Sequence, residues 1–283
     1  MKPELRVGYV SDTHIDYYIR DSTDDVPAFI VSTLNPVGGD VLIVAGDISH
    51  YNEQTKKFLK TMTAFYNHIL YTIGNHDLYL INKKEKKKYN RNSFLRIAEL
   101  EEWTENEPNI YFLNGNSITI DGITFGGLPN WYDCPSQGDI QNWNKMMNDS
   151  NLIYEGHDHY TINLGYGYKE KVSTFNTQAF RKKQEEKFNN LENIDILVTH
   201  ICPSIIPEDM KFQGAHASED AAMFYMTDDF EKVKKTGAKY VIYGHDHTNG
   251  EWEQDGIKFL SNSIGYPAEW QGNNIKYFNI KGQ

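Results

Sequence analysis

The sequence predicts an α/β fold, in which short buried strands alternate with helices. Five short apolar runs have the length and composition of buried strands, at residues 5–10, 41–45, 69–73, 194–198 and 240–243. Each run is followed by residues whose side chains can bind a metal ion. In α/β folds the ends of successive strands bring together residues from distant parts of the sequence, so this pattern predicts one site at the strand ends.

The connections between these runs supply further predicted elements. Residues 52–69 place apolar side chains at helical spacing, and a second helix is predicted over residues 93–104. Residues 109–129 have the pattern of two or three short strands. Asn114-Gly115-Asn116 and Asp121-Gly122 are predicted to form tight turns between these strands.

One segment in the second half of the sequence has a different character. Residues 130–193 are rich in Asn, Gln, Tyr, Trp and Gly, and their apolar pattern is broken. We therefore expect a single domain over residues 1–283, with 130–193 as an insertion that lies over the site. The remaining predicted elements are a polar helix near residues 177–191, a helix from after Ser218 to Lys235 that is closed by Gly237, and strands within residues 257–280.

The composition favours a globular protein that is not a general nucleic-acid binder. Of the 283 residues, 39% are hydrophobic and 24% are charged, which is sufficient for a packed core. The net charge of −11 would repel phosphate backbones, so nucleic acid is a possible but disfavoured partner. No apolar run has the length of a membrane span, and the first predicted strand follows Met1-Lys2-Pro3 without room for a signal peptide. Because the two cysteines, Cys134 and Cys202, are also typical of a reducing compartment, we expect a cytoplasmic protein.

Five short motifs follow the apolar runs in a fixed order. They are Asp12-Thr13-His14, Gly46-Asp47, Gly74-Asn75-His76-Asp77, His200 and Gly244-His245-Asp246-His247. Residues two apart at a strand end can point to the same side, as expected for Asp12 with His14 and for His245 with His247. Oxygen and imidazole ligands without thiolate are typical of sites for Mn, Fe, Zn, Co or Ni.

Seven ligand-type side chains are too many for one tetrahedral ion. Two divalent cations that share the carboxylate of Asp47 would use all seven, and Mn²⁺ is our first expectation for the metal. Two cations about 3.5–4 Å apart can polarise a phosphoryl group and generate hydroxide near neutral pH. The motifs therefore predict a dinuclear site for phosphoryl chemistry on a small phosphorylated substrate.

Together, the five motifs resemble those of the calcineurin-like metallophosphoesterase superfamily, and all five appear in family order from Asp12 to His247. The resemblance implies a four-layer αββα sandwich of two mixed β-sheets flanked by helices. It also implies hydrolysis of phosphomonoesters or phosphodiesters by attack of a metal-bound hydroxide on phosphorus. The closing segment, from Ser261 to the sequence Gly265-Tyr266-Pro267, is similar to the ending of a bacterial and phage group of uncharacterised metallophosphoesterases.

The family pattern also implies a role for individual residues. One ion would be bound by Asp12, His14, Asp47 and His247, and the other by Asp47, Asn75, His200 and His245. His76 would donate a proton to the leaving oxygen, and Asp77 would orient His76. Substrate contacts are further predicted at His50 and at His216, which precedes a predicted helix.

The motifs leave the branch of the superfamily open. The motif Asn75-His76-Asp77 differs from that of the protein serine/threonine phosphatases, which also have an Arg after the position of Asp47 that this sequence lacks. In purple acid phosphatases a Tyr ligand stands at the position of His50. Break-repair nucleases of the superfamily have a substrate-contacting His there. A nuclease or nucleotide phosphodiesterase is therefore the alternative, supported by basic stretches at 83–91 and 181–187. A catalytically silent binding module is less favoured because no ligand is missing, and the oligomeric state is not indicated.

A second copy of the last motif stands at Gly156-His157-Asp158-His159, within the predicted insertion. It follows a weak apolar run, whereas Gly244 follows a convincing strand at residues 239–243. We therefore assign the ligand role to His245 and His247, and an exposed loop to the copy in the insertion.

Overall fold

The computed structural model describes residues 4–165, 168–210 and 219–282. In this part of the protein the strands are β1 Glu4–Val10, β2 Gly39–Ala45, β3 Tyr66–Thr72, β4 Ile110–Phe112, β5 Asn116–Ile120, β6 Ile123–Leu128, β7 Tyr160–Gly165, β8 Tyr168–Val172, β9 Ile196–Thr199, β10 Tyr240–Tyr243, β11 Asn249–Gln254, β12 Ile257–Asn262 and β13 Lys276–Lys281. The strands predicted within residues 109–129 and 257–280 are confirmed.

The strands form two mixed β-sheets and one small hairpin. The first sheet has the order β13-β1-β2-β3-β4, in which only β13 is antiparallel to its neighbour. The second has the order β11-β12-β10-β9-β6-β5, with a parallel centre and antiparallel strands at both edges. The antiparallel hairpin of β7 and β8 is separate from both sheets.

The helices of the described residues are α1 Ile15–Ile19, α2 Val26–Phe29, α3 Asn52–Met62, α4 Lys83–Lys88, α5 Ser93–Glu105, α6 Gln137–Met146, α7 Asp149–Leu152, α8 Thr177–Asn189, α9 Glu219–Ala222 and α10 Phe230–Thr236. None of them combines the length and the apolar character that a membrane crossing requires. The helices predicted near residues 93–104 and 177–191 are confirmed by α5 and α8. Gly237 ends α10 in the left-handed conformation, at φ 85°, as predicted for a C-cap.

Two predicted helices are too long. The helix predicted over residues 52–69 ends at Met62, because Tyr66 begins β3 and pairs with β2. Phe65 and Ile69 fit a helical spacing, but pairing with neighbouring strands outweighs that local preference. The helix predicted after Ser218 is divided into α9 and α10, which are separated by residues 223–229.

Alternating strand residues build a layered core. Val41 and Ile43 of β2 pack between the two sheets, against Val198 of β9. Their neighbours Leu42 and Val44 face the opposite side, because successive strand side chains alternate, and they belong to the cluster that α3 and α5 cover. On the outer face of the second sheet, α8 and α10 complete a third cluster. Helix, sheet, sheet and helix therefore lie in four layers, which confirms the predicted fold class.

Residues 130–193 contribute large side chains to the protein core. Trp131, Trp143 and Phe175 are buried in the same cluster as the apolar side chains of α3 and α5. This packing ties the segment to the outer layer of the first sheet. Its boundaries as an insertion, and the single domain over residues 1–283, stay predictions.

Candidate active site

The strand ends bring all seven predicted ligand residues together. Potential ligand atoms of six of them, and of His76, fall into overlapping groups within 4.8 Å. The groups are Asp12, His14 and His247; His14, Asp47 and His76; and Asp47, His200 and His245. Asn75 lies beside the last group, with its Oδ1 atom 3.2 Å from Nε2 of His200. The motifs are thus brought to one place, as α/β topology predicts, while their role as ligands stays a prediction.

One half of the site is formed by the ends of β1 and β10. Nε2 of His14 lies 3.1 Å from Nε2 of His247, and the latter lies 3.6 Å from Asp12. Nδ1 of His247 is 2.7 Å from Oε2 of Glu269. Because a carboxylate only accepts hydrogen bonds, Nδ1 of His247 carries the proton and its Nε2 is left with a lone pair.

Backbone carbonyl groups fix the histidines of the other half in the same way. Nδ1 of His200 donates to the carbonyl of Ala45 at 2.8 Å, and Nε2 of His245 donates to that of Phe224 at 2.9 Å. In a neutral imidazole the second nitrogen is then an acceptor. The other two ring nitrogens, Nε2 of His200 and Nδ1 of His245, point into the site.

The amide of Asn75 completes this half. Its Nδ2 donates to Asp149 at 2.8 Å, which turns Oδ1 towards His200 and His245, at 3.2 and 3.1 Å. Oδ2 of Asp47 lies 3.4 Å from Nε2 of His200. Oxygen and nitrogen atoms of ligand type thus converge here, while Nδ2 of Asn75, Nδ1 of His200 and Nε2 of His245 are directed outwards.

The donor set fits divalent cations. Lone pairs that face one another at hydrogen-bond distance repel unless a proton or a cation lies between them. Burial lowers the pKa of His14 to about 4 and that of His245 to about 3, so both rings are neutral near pH 7. Burial also opposes a charge on His200, but the carboxylate of Asp47 outweighs it and raises the pKa of His200 to about 10. A proton and a metal ion therefore compete for Nε2 of His200.

The backbone is strained where these side chains attach. Five of the seven residues have a left-handed conformation, with φ of 49° at Asp12, 40° at His14, 56° at Asp47, 74° at His245 and 56° at His247. Such conformations cost of order 1–3 kcal/mol each and persist at sites where the surrounding structure enforces them. Their concentration on one site indicates that the fold is shaped for a function here.

His76 lies beside the ligand residues and is linked to two further side chains. Its Nδ1 is 2.9 Å from Nε2 of His50, and Nδ1 of His50 is 2.6 Å from Asp16. At the other end of its ring, Nε2 lies 3.3 Å from the hydroxyl of Tyr266. Burial lowers the pKa of His76 well below its usual value.

Asp77 has a different place from the one expected. Its Oδ2 accepts hydrogen bonds from the backbone amides of Asp47 and Gly74, both at 2.8 Å. The ring of His76 is bonded instead to His50. Burial, reinforced by Asp47, raises the pKa of Asp77 to about 6. Asp77 therefore joins the loops after β2 and β3, and its expected action on His76 has no hydrogen bond to support it.

Four residues near the site were not predicted as its members. Asp16, Asp149 and Glu269 each hold a site residue through a carboxylate, and Tyr266 stacks on the ring of His14 at 4.6 Å between centroids. Asp16 is only two residues beyond His14, and Tyr266 belongs to the closing segment of the sequence. Asp149 and Glu269 carry no local signal, because only the folding of distant segments brings them here.

The remaining predicted residues are His50, His216 and those of the second copy of the last motif. His50 is 4% exposed, and both of its ring nitrogens face site residues rather than solvent. His216 lies outside the described residues. In the second copy of the motif, His157 is exposed, Asp158 pairs with Arg91 at 2.7 Å, and His159 stacks on Tyr154. None of these three belongs to a potential metal group within the described part of the protein.

Comparison with known proteins identifies the family. Residues 5–249 match the family model of the calcineurin-like phosphoesterases. The chain belongs to this family. This calcineurin-like phosphoesterase is a metal-dependent hydrolase of phosphoric esters, as the resemblance of its motifs implied.

Two curated proteins and one solved structure are similar to this chain. An uncharacterised protein of Acanthamoeba polyphaga mimivirus is 23% identical over 268 residues, which are 92% of this chain and 91% of that protein. A UPF0046 protein of Caenorhabditis elegans is 27% identical over 175 residues, 58% of this chain and 53% of that protein. The fold is also similar to that of the phosphopantetheinyl hydrolase of Mycobacterium tuberculosis, with a TM-score of 0.65, 18% identity and coverage of 98% of this chain and 97% of that one.

Proposed function

We propose that this phosphoesterase hydrolyses a small phosphomonoester or phosphodiester at two divalent cations that share Asp47. One observation carries the proposal. The same oxygen of Asp47, Oδ2, lies 3.9 Å from Nε2 of His14 and 3.4 Å from Nε2 of His200, so it faces both halves of the site. A carboxylate between two sets of acceptors is the arrangement that a bridging ligand requires.

The donors divide into two sets around Asp47. Asp12, His14 and His247 would hold one ion with it, and Asn75, His200 and His245 the other. Two such ions polarise a phosphoryl group and lower the pKa of water enough to supply a nucleophile near neutral pH. Imidazole and oxygen ligands suit Mn²⁺ first, with Fe, Zn, Ni or Co as alternatives.

The protein itself contributes a proton donor. Nε2 of His76 lies 3.3 Å from the hydroxyl of Tyr266, and the ring of His76 contacts that of His14, a predicted ligand, so we place the leaving oxygen of a bound ester beside this nitrogen. Protonation of that oxygen as the bond to phosphorus breaks is general acid catalysis. His76 is thus the proposed catalytic residue, and Asp77 supports the loops around it.

A small ester is favoured over a nucleic acid. The nuclease alternative was supported by His50 and by the two basic stretches. Both ring nitrogens of His50, however, are occupied by Asp16 and His76. The net charge of −11 also opposes a phosphate backbone. Tyr17, which is 49% exposed and lies 4.8 Å from the ring of Tyr266, could instead contact an organic group of the substrate. A cytoplasmic location stays a prediction.

The proposal is tested with the purified protein and bis(para-nitrophenyl) phosphate. We expect hydrolysis with added Mn²⁺ and about two metal ions bound per chain. Asp47→Asn should lose both the hydrolysis and the bound metal. Absence of hydrolysis with each of Mn²⁺, Ni²⁺, Co²⁺ and Zn²⁺ would contradict the function. One ion per chain in an active enzyme would contradict the dinuclear site alone.

The sequence offers a matched control in its two identical motifs. His247→Ala should abolish metal binding to one half of the site, whereas His157→Ala changes the corresponding residue of the exposed copy and should have no effect. The substrate panel should include a phosphopantetheinyl compound, because of the activity named for the structural relative, and single- and double-stranded DNA. Cleavage of DNA in preference to small esters would favour the nuclease alternative.

A further inference from the structure

Tyr17 places an exposed aromatic ring at the edge of the candidate metal site. Helix α1 begins directly after His14, and the backbone amide of Tyr17 donates to the carbonyl of His14 at 2.9 Å, so the first turn brings the ring back to the site. Its centroid lies 4.8 Å from that of Tyr266, 5.5 Å from that of His50 and 5.9 Å from that of His14. Tyr17 is 49% exposed, whereas His14 and His50 are buried, so its ring offers a ligand an open face beside them.

Other residues anchor α1 to the protein core. Ile15 is fully buried, and Tyr18 packs on Phe29 while its hydroxyl donates to the carbonyl of Gly265 at 3.0 Å. Within the described residues, the ring contacts of Tyr17 are instead with residues of the site. This division of contacts favours a role for Tyr17 at the site rather than in folding.

Tyr266 fills the space between Tyr17 and the predicted ligands. Its ring stacks on that of His14 at 4.6 Å and lies 5.0 Å from that of His247. Its hydroxyl lies 3.3 Å from Nε2 of His76, beside which we place the leaving oxygen. If the metal ions hold the phosphoryl group, the organic group of the ester extends past Tyr266 to the open face of Tyr17.

The open face of a tyrosine ring distinguishes planar from saturated groups. Two aromatic rings in offset or edge-to-face contact gain about two- to tenfold in affinity beyond the effect of the apolar area that they bury. A saturated ring of the same size buries a similar area but has no π-system. An aromatic wall at this point therefore favours an ester with a planar organic group.

We propose that Tyr17 determines specificity by binding the organic group of the substrate, and that this group is an aromatic or heteroaromatic ring. The inference rests on the proposed function, because the ring reaches Tyr17 only when the phosphoryl group is held at the metal site. The preferred substrates are aryl or heteroaryl esters rather than esters of alkyl alcohols.

Two phosphonates test the inference without a chemical step. Benzylphosphonate and cyclohexylmethylphosphonate each have a methylene group in place of the ester oxygen, and they have the same number of carbon atoms. In calorimetric titrations of the protein loaded with Mn²⁺, benzylphosphonate should bind about fivefold more tightly. Because the phosphonate group is the same in both, the contribution of the metal ions cancels in this ratio.

Replacing Tyr17 should remove the preference. Tyr17→Leu keeps an apolar side chain without a ring, and it should lower the affinity ratio to about one. Its affinity for inorganic phosphate and its metal content, measured by mass spectrometry, should not change. With bis(para-nitrophenyl) phosphate, Tyr17→Leu should raise KM more than it lowers kcat, because the ring contact is made equally before and during the reaction.

Two control variants separate the ring from other effects. Tyr17→Phe removes the hydroxyl group but keeps the ring, and it should keep the preference for benzylphosphonate. Tyr160→Leu makes the change from tyrosine to leucine at another exposed position, which is 53% exposed and belongs to the β7–β8 hairpin. It should match the wild type in both titrations.

The outcomes distinguish this inference from the function on which it depends. If the wild type neither hydrolyses bis(para-nitrophenyl) phosphate nor binds a phosphonate with Mn²⁺, Ni²⁺, Co²⁺ or Zn²⁺, the proposed function fails, and this inference fails with it. If an active wild type does not bind benzylphosphonate more tightly than cyclohexylmethylphosphonate, or if Tyr17→Leu keeps the preference, the role of Tyr17 is wrong and the proposed function stands. Loss of metal from Tyr17→Leu would also contradict that role, because Tyr17 would then act through the metal site.

Discussion

The side-chain amide of Asn75 donates a 2.8 Å hydrogen bond to Asp149, and this contact joins the candidate metal site to the segment over residues 130–193. Asp149 is buried and also accepts the hydroxyl groups of Tyr79 and Tyr132. Burial raises the pKa of Asp149, although these three donors oppose the shift. The segment therefore helps to decide which end of the Asn75 amide faces the site.

Replacing Asp149 should weaken metal binding. In Asp149→Leu the amide of Asn75 loses its acceptor, and loss of a partner that orients a ligand typically costs about 10–100-fold in metal affinity. Calorimetric titration with Mn²⁺ measures the effect. Asp133→Leu makes the same change at an exposed position of the segment and serves as the control. Unchanged affinity in a folded Asp149→Leu protein would show that Asn75 needs no such support.

Replacing Glu269 should weaken metal binding in the other half of the site. Its carboxylate accepts Nδ1 of His247 at 2.7 Å, and Glu269→Ala should cost about 10–100-fold in affinity for one ion. If the site binds two ions in separate steps, Glu269→Ala and Asp149→Leu should weaken different steps. Weakening of the same step by both variants would contradict the division of ligands. Glu253→Ala is an exposed control.

Gly74→Ala should abolish activity because the site has no room for a methyl group there. A Cβ atom at Gly74 would lie 2.1 Å from Oδ1 of Asp47 and 2.5 Å from Nε2 of His200, so one of these side chains must move. We expect loss of metal and of phosphodiester hydrolysis, with a folded circular dichroism spectrum. In the control Gly138→Ala, the nearest atom is 3.5 Å away and activity should persist. An active, metal-replete Gly74→Ala enzyme would show that the site tolerates this movement.

A buried ion pair away from the site should make stability depend on pH. Burial would raise the pKa of Asp229, but Arg181 at 2.8 Å, Lys232 and Thr227 outweigh it and lower the pKa below 3.8. Since the folded-state pKa is depressed, the stabilisation is present above pH 3.8 and is lost as pH falls through the folded-state value. Asp229→Asn should cost about 3 kcal/mol of unfolding free energy at neutral pH.

Urea unfolding measures this difference. The gap between wild type and Asp229→Asn should shrink as the pH falls below 3.8 and the wild-type carboxylate takes up its proton. Asp24→Asn, at an exposed position, should match the wild type throughout. A gap that stays constant with pH would mean that the cost arises from packing rather than from charge.

The motifs predicted the fold and the place where the site residues come together, because both follow from local patterns. Apolar runs define the central strands, and parallel strands place their carboxyl ends at one edge. The helix predicted over residues 52–69 was wrong beyond Met62, since its last turns belong to β3. Helical spacing alone could not distinguish that strand from a longer helix.

The partners of the site residues could not be predicted to the same degree. Asp149 reaches Asn75 across 74 positions of the sequence, and its neighbours give no sign of the contact. Asp77 stands next to His76 in sequence, which favoured a direct interaction, yet its carboxylate turns towards backbone amides. His50, which the sequence placed at the substrate, is hydrogen-bonded to His76 and stacks on its ring. Side-chain direction within a loop depends on the loops around it, which a single motif does not contain.

The contacts between the loop of Asp12 and residues 263–265 also affect the order in which the protein folds. The loop of Asp12 is held by late residues, since Ser263 donates to its carboxylate at 2.7 Å across 251 positions and the amide of Gly265 donates to its carbonyl at 2.9 Å. Contacts of such long range form slowly, because the intervening chain must first be ordered. On the ribosome, the first two candidate ligands to be synthesised must therefore wait for the last strands before they are held in place. A nascent chain would acquire its metal ions only at the end of folding.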